Sequence, residues 1–142
     1  MSSPDSNPPD ANSGRGALIL VVERNPVVQR LEKYFLEQAG FSVEFTIDGV
    51  AALARARELH PKIIVSEILV PKLDGLSLCR SIKTDPVTKD ILVMIFSHLQ
   101  ADDRAAEAGA DAFLSKPLDE ELLLSTVEGL LDSRRQAVGD NS

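Results

Sequence analysis

The sequence of 142 residues contains a single cysteine, Cys79, and no tryptophan. One thiol cannot form an intramolecular disulfide, which agrees with a reducing compartment, so we expect a cytoplasmic protein. No apolar run approaches the roughly 20 residues that a helix needs to cross a bilayer. Residues 1–16 lack a basic start followed by an apolar stretch, so they do not predict a secretory signal.

Basic residues are fewer than acidic residues. The chain has 15 Lys and Arg against 22 Asp and Glu, which gives a net charge of −7. Because binding to nucleic acid or to an anionic membrane surface requires clustered cations, we expect neither kind of partner. No loop of the form G-x-G-x-x-G or G-x-x-x-x-G-K-[ST] follows a predicted strand, which disfavours a nucleotide-binding site.

Between its two ends the chain alternates apolar runs of strand length with stretches of helical periodicity. Five strands are predicted, at 17–22, 41–46, 62–66, 91–97 and 112–115. Runs that are apolar on both faces are typical of parallel strands covered by helices on each side. The sequence therefore predicts one α/β domain over residues 17–132 with a doubly wound parallel sheet, a disordered segment over 1–16 and a flexible tail over 133–142.

Several residues mark the helix ends. Asn25 before Pro26, Asp48 and Asp74 are predicted N-caps, and Gly40 and Gly109 are predicted to follow helix ends. Several other residues are assigned structural roles. We interpret Cys79 as a packing residue, His60 as a helix-end residue, and Asp102 and Asp103 as residues of a first helical turn. The residues predicted on the inward face of the last helix are Leu122, Leu123, Val127, Leu130 and Leu131.

Polar side chains follow four of the predicted strands. Doubly wound sheets place their sites at the carboxyl ends of the strands. The residues at these ends are Glu23 and Arg24, Glu67, Ser97 and His98, and Lys116 and Pro117. Two acids, several bases and a hydroxyl are therefore expected to converge on one crevice.

Four segments in this order resemble the receiver domains of two-component response regulators: "LVVERN", "IIVSEILVPKLDG", "VMIFSH" and "GADAFLSKPLD". The resemblance covers residues 17–132 and implies a five-stranded sheet with strand order 2-1-3-4-5. In that family an Asp after the third strand accepts a phosphoryl group from a histidine kinase, and an acidic pair holds Mg²⁺. A hydroxyl and a lysine bind the phosphoryl oxygens, and an aromatic residue on the fifth strand reports the change. The resemblance places these roles at Glu67, the pair Glu23–Arg24, Ser97, Lys116 with Pro117, and Phe113.

The chain departs from the family pattern at two of these positions. Glu67 stands where the family has the phosphoaccepting Asp, and Arg24 replaces one metal-binding acid. Glu23 and Glu67 contribute −2 and Arg24 and Lys116 contribute +2, so the pocket neutralises itself without a divalent ion. We therefore predict weak or absent Mg²⁺ binding, no other cofactor and no enzymatic activity.

The leading functional hypothesis is a stand-alone, phosphorylation-independent protein-interaction module. Its expected partners are a histidine kinase or a downstream effector, with a homodimer through the last two helices as a further option. The alternative is an active receiver in which Glu67 still takes a phosphoryl group in a phosphorelay. A hydrolase built on Ser97 and His98 is disfavoured, because adjacent strand residues point to opposite faces.

Two conformations of the pocket stay open. Glu67 reaches Ser97 and Lys116 and imitates a phosphorylated Asp, or Arg24 captures Glu67 in an inactive-like arrangement. The forked guanidinium favours the second arrangement, with Lys116 nearby.

Overall fold

A computed structural model describes residues 16–140 of the chain, with side chains described up to residue 136. Five strands alternate with five helices, as the sequence predicts. The strands are β1 (Leu18–Val22), β2 (Ser42–Thr46), β3 (Ile63–Ser66), β4 (Leu92–Ser97) and β5 (Ala112–Ser115). The helices are α1 (Pro26–Gln38), α2 (Gly49–Leu59), α3 (Gly75–Thr84), α4 (Asp102–Glu107) and α5 (Glu120–Asp140). The predicted disordered segment, residues 1–16, lies outside the described residues except for Gly16.

The five strands form one parallel sheet in the order β2-β1-β3-β4-β5. Both the doubly wound architecture and the strand order are confirmed. The register aligns Val22 with Ser66 and Ser66 with Ile95, so the carboxyl ends of the central strands lie side by side. Because the chain winds in opposite directions from β1 and β3, a crevice opens at this edge of the sheet.

The predicted N-caps position the helices that border this crevice. The Asn25 side chain accepts hydrogen bonds from the backbone N–H groups of Val27 at 2.9 Å and Val28 at 3.3 Å. Asp48 and Asp74 cap α2 and α3 in the same way. Each cap satisfies amide donors that the first helical turn leaves unpaired.

The core forms two apolar clusters, one on each face of the sheet. One contains Leu20, Ile64 and Ile95 together with residues of α2, α3 and α4. The other contains Val21, Val65 and Phe96 together with residues of α1 and α5. Cys79 is buried in the first cluster, where burial raises the pKa of its thiol to about 11, in agreement with a packing role.

Two details of the helices differ from the prediction. Leu122 is 48% exposed, whereas Leu123 and Val127 are buried as expected. The inward stripe of α5 is therefore narrower than predicted. α5 is also longer than predicted, because it continues to Asp140, past the expected end at residue 132 and into the segment predicted as a flexible tail. None of the described helices is long and apolar enough to cross a membrane.

Candidate functional site

A pocket of about 570 Å³ lies at the carboxyl ends of the strands. Its lining residues are Glu23, Arg24, Asn25, Pro26, Val28, Glu67, Leu69, His98 and Lys116. The structure thus brings together the acids and bases that the sequence placed at the strand ends. Ser97 lies beneath the pocket and is fully buried.

Glu67 is the most heavily contacted side chain of this site. It follows β3, is only 3% exposed and turns back over its own loop. Its Oε2 accepts hydrogen bonds from the N–H groups of Ile68 at 2.5 Å and Leu69 at 3.1 Å. The same oxygen accepts a hydrogen bond from Ser97 Oγ. One carboxylate oxygen therefore receives three donors, which fixes the orientation of the group.

The other oxygen of Glu67 accepts no hydrogen bond from the described residues. Oε1 lies 3.1 Å from Lys116 Nζ and 3.5 Å from His98 Nδ1, without hydrogen-bond geometry to either. Lys116 Nζ also donates to Glu23 Oε1 at 2.8 Å. The ammonium consequently bridges two carboxylates that are both almost fully buried.

The titration properties of this cluster follow from these contacts. Burial acts to raise the pKa of Glu67, but the donors Ser97 and Leu69 and the Lys116 ammonium outweigh it, and the pKa lies below its ordinary value. Burial likewise acts to lower the pKa of Lys116, but Glu23 and Glu67 raise it above the ordinary value. The pocket therefore keeps a charged carboxylate and a charged ammonium in contact at neutral pH.

The remaining family positions surround this cluster. Ser97 donates to Glu67 rather than to His98, and its Oγ accepts the N–H of Leu99 at 3.2 Å. His98 also approaches Glu67, since it lies just beyond the end of β4, where the strand alternation that predicted opposite faces no longer applies. Phe113 on β5 is half-buried against the cluster that contains Ile95. Pro117 follows Lys116 through a cis peptide bond.

The predicted Arg24–Glu67 pair is wrong. Arg24 is exposed, and among the described residues it forms no ion pair. Lys116 and His98 take the contacts with Glu67 instead, because backbone donors and Ser97 turn the carboxylate toward β4 and β5. Of the two arrangements considered, the contact of Glu67 with Ser97 and Lys116 is the one present.

Mg²⁺, which the family resemblance implies, does not fit the donors that this chain provides. Glu23 and Glu67 both contact the Lys116 ammonium, and Glu23 Oε2 also accepts the N–H of Asn25 at 3.1 Å. A guanidinium stands where the family has a second acid. Within residues 16–140, no group of three or more His, Cys, Asp or Glu side chains is placed to hold a metal ion. Since Mg²⁺ requires several oxygen ligands in near-octahedral geometry, weak binding stays our prediction.

One buried acid near the site was not singled out from the sequence. Glu32 on α1 is 1% exposed, and its Oε1 has no hydrogen-bond partner among the described residues. The available signal was its spacing, since it stands four residues after Val28 and four before Leu36 on the inward face of the helix. A carboxyl group at an apolar position of an amphipathic helix calls for an explanation.

Comparison with known proteins identifies the family. The protein-family model for the response regulator receiver domain matches residues 19–128 of this chain. The chain is 35% identical over 116 residues to the DNA-binding dual master transcriptional regulator RpaA of Synechocystis, covering 80% of this chain and 48% of RpaA. It is 31% identical over 121 residues to protein PilG of Pseudomonas aeruginosa, covering 83% of this chain and 90% of PilG.

Solved structures agree with these matches. The signal receiver domain of a signal transduction histidine kinase from Syntrophus aciditrophicus superimposes with a TM-score of 0.74 at 32% identity, covering 82% of this chain and 90% of that one. The chain spans about half the length of curated transcriptional regulators that it matches, such as RpaA and CseB. The chain belongs to the response regulator receiver domain family of two-component signalling proteins.

Proposed function

We propose that this chain is a phosphorylation-independent signalling module, in which Glu67 occupies the place that a phosphorylated Asp takes in the family. The observation that supports the proposal is that Glu67 already contacts Ser97 and Lys116, which stand at the two positions that bind the phosphoryl oxygens in the family. Ser97 Oγ donates to Glu67 Oε2, and Lys116 Nζ lies 3.1 Å from Glu67 Oε1. Both groups are engaged before any phosphoryl group arrives.

Physical chemistry disfavours phosphoryl transfer to this carboxylate. Transfer depends on positioning and on neutralisation of the developing charge, which a metal ion supplies in related reactions. Glu carries one methylene more than Asp, and a displacement of about 1 Å can cost on the order of 100-fold in rate. In addition, one oxygen of Glu67 is covered by three hydrogen-bond donors.

The conformation that we assign to the module is the active-like one. Ser97 is buried and turned toward Glu67, and Phe113 packs against the core. In the family, the hydroxyl and the aromatic residue move inward together when the acceptor carries a phosphoryl group. The module would then bind its signalling partners, a cytoplasmic histidine kinase or effector, without a phosphorylation signal and without catalysing a reaction.

Phosphorylation can be tested by intact mass spectrometry after incubation with acetyl phosphate and Mg²⁺. We expect the wild-type chain to stay unmodified. The double variant Glu67→Asp/Arg24→Asp restores the family residues and serves as the positive control, with a phosphoryl adduct expected. A phosphoryl adduct on Glu67 of the wild type would contradict the proposal and support the active receiver.

A further inference from the structure

Among the described residues, Glu32 is the one buried acid near the pocket that the proposed signalling role does not use. It is 1% exposed, lies on α1 and leaves Oε1 without a hydrogen-bond partner among the described residues. Burying an ionised carboxylate without a partner is so costly that such groups take up a proton instead. The position therefore favours the neutral acid.

Glu32 stands on the buried face of α1, together with Leu36. Val28 and Leu36 stand one turn away on the same helix face and belong to the apolar cluster on this side of the sheet. The residues that β2 and α5 contribute to this cluster include Val43 and Phe45, and Leu123 and Val127. Among the described residues, the charged groups that shift the pKa of Glu32 are Glu23, Lys116 and Glu67, and none of them lies on α1, β2 or α5.

Glu23, Lys116 and Glu67, the charged groups that shift the pKa of Glu32, all line the pocket. Burial contributes most to raising the pKa of Glu32 to about 9, and the Glu23 carboxylate raises it further. Lys116 opposes this shift, and Glu67 adds to it. The protonation of Glu32 thus depends on the balance of charge at the ends of β1, β3 and β5.

We propose that Glu32 is a buried proton-binding site whose occupancy is linked to the charge of the Glu23–Lys116–Glu67 cluster. The carboxylate takes one proton from solvent and becomes a neutral acid, with no other group consumed. Any change that makes the pocket more positive releases this proton, and any change that makes it more negative retains the proton. By linkage, the proton in turn weakens the binding of a cation in the pocket. This inference does not depend on whether Glu67 accepts a phosphoryl group.

The side-chain carboxyl carbons of the full chain, labelled with ¹³C-glutamate, report the proton directly. We expect one resonance to titrate with a midpoint above pH 7, to disappear in Glu32→Gln and to persist in the matched control Glu37→Gln, which alters an exposed acid of the same helix. If every glutamate titrates below about pH 6, the buried proton is refuted.

The linkage is tested by the same titration in two pocket variants. Lys116→Met removes the cation and should raise the midpoint of the Glu32 resonance by about one pH unit, whereas Glu23→Gln removes an anion and should lower it. A midpoint that is unchanged in both variants would overturn the linkage. These variants leave Glu32 in place, so the test stands even if Glu32→Gln does not fold.

Chemical unfolding provides an independent measurement. A raised pKa means that the stabilising contribution of the protonated group is complete below the ordinary carboxyl value of 4.5 and is lost as the pH rises toward about 9. The unfolding equilibrium constant of the wild type should therefore grow relative to that of Glu32→Gln by up to about tenfold per pH unit across this interval. A ratio that does not change between pH 5.5 and pH 8.5 would contradict the proposal.

Discussion

The Glu67 side chain lines the pocket and also connects the loop after β3 to β4 and to Lys116. It is 3% exposed, accepts hydrogen bonds from its own loop and from β4, and forms an ion pair with Lys116 after β5. Its extra methylene relative to Asp lets the carboxylate reach Ser97 and Lys116. These partners explain why the carboxylate is buried and how it is oriented.

Replacing Glu67 with Gln tests its role as an anchor. The amide keeps an oxygen acceptor for Ser97 but removes the charge that faces Lys116. Because Lys116 retains only Glu23 as a partner, we expect the free energy of unfolding to fall by about 1–3 kcal/mol in urea titrations at pH 7. Glu37→Gln, a change at an exposed position, should stay within about 0.5 kcal/mol. Equal effects of the two substitutions would contradict this account of Glu67.

The contribution of Glu67 should also depend on pH. Its pKa is lowered from the ordinary value of 4.5, so its stabilising contribution is present above that value and is lost as the pH falls through the lowered one. We therefore expect the stability difference between the wild type and Glu67→Gln to shrink between pH 5 and pH 2.5. Urea titrations at several pH values measure this difference, and a difference that widens on acidification would disprove it.

At the scale of elements, α1 has an inner and an outer apolar surface. Leu36 is fully buried, whereas Leu31 is 42% exposed and lies beside exposed Val27 and Tyr34. Helical spacing of apolar residues predicts α1 correctly but does not identify which of them face the sheet. The buried positions include Glu32, which no hydrophobicity pattern would select.

Two leucines of α1 therefore form a matched pair for mutation. Leu36→Ala removes a fully buried side chain from the core and should cost about 2–5 kcal/mol of unfolding free energy. Leu31→Ala should cost less than about 1 kcal/mol, because its side chain is already partly in water. Thermal or urea unfolding measures both, and comparable losses would show that the orientation of α1 is wrong.

Gly75 and Gly129 differ in the space available for a side chain. A Cβ atom on Gly75 would lie 2.3 Å from the carbonyl oxygen of Glu67, whereas one on Gly129 meets nothing within 4 Å. We expect Gly75→Ala to destabilise the protein by about 1–3 kcal/mol by pushing on the loop that carries Glu67. Gly129→Ala in α5 should stabilise it by about 0.5–1 kcal/mol. Stabilisation by both substitutions, measured by thermal unfolding, would contradict the close approach of α3 to β3.

At the scale of the whole molecule, the fold was predictable because several sequence signals agree. Strand-length apolar runs, N-caps at Asn25, Asp48 and Asp74, and polar residues at strand ends all indicate the same doubly wound sheet. The strand-end rule also located the pocket, since it depends on topology rather than on side-chain conformation.

The details that the sequence did not predict depend on local packing. Arg24 and Lys116 are both cations at strand ends. Glu67 pairs with Lys116 because the backbone N–H groups of the loop after β3 orient its carboxylate. The extent of α5 was underestimated because the charged residues near its end were interpreted as a tail. However, Arg, Gln and Ala are good helix formers, and no Gly or Pro stands between Gly129 and Gly139.

If Glu67 already engages Ser97 and Lys116, as we propose, neither residue responds to a phosphoryl donor. Backbone amide NMR spectra of the wild-type chain, recorded with and without acetyl phosphate and Mg²⁺, test this claim directly. We expect the resonances of Ser97, Leu99, Phe113 and Lys116 to keep their positions in the wild type and to shift in Glu67→Asp/Arg24→Asp. Saturating shifts of these resonances in the wild type would contradict it.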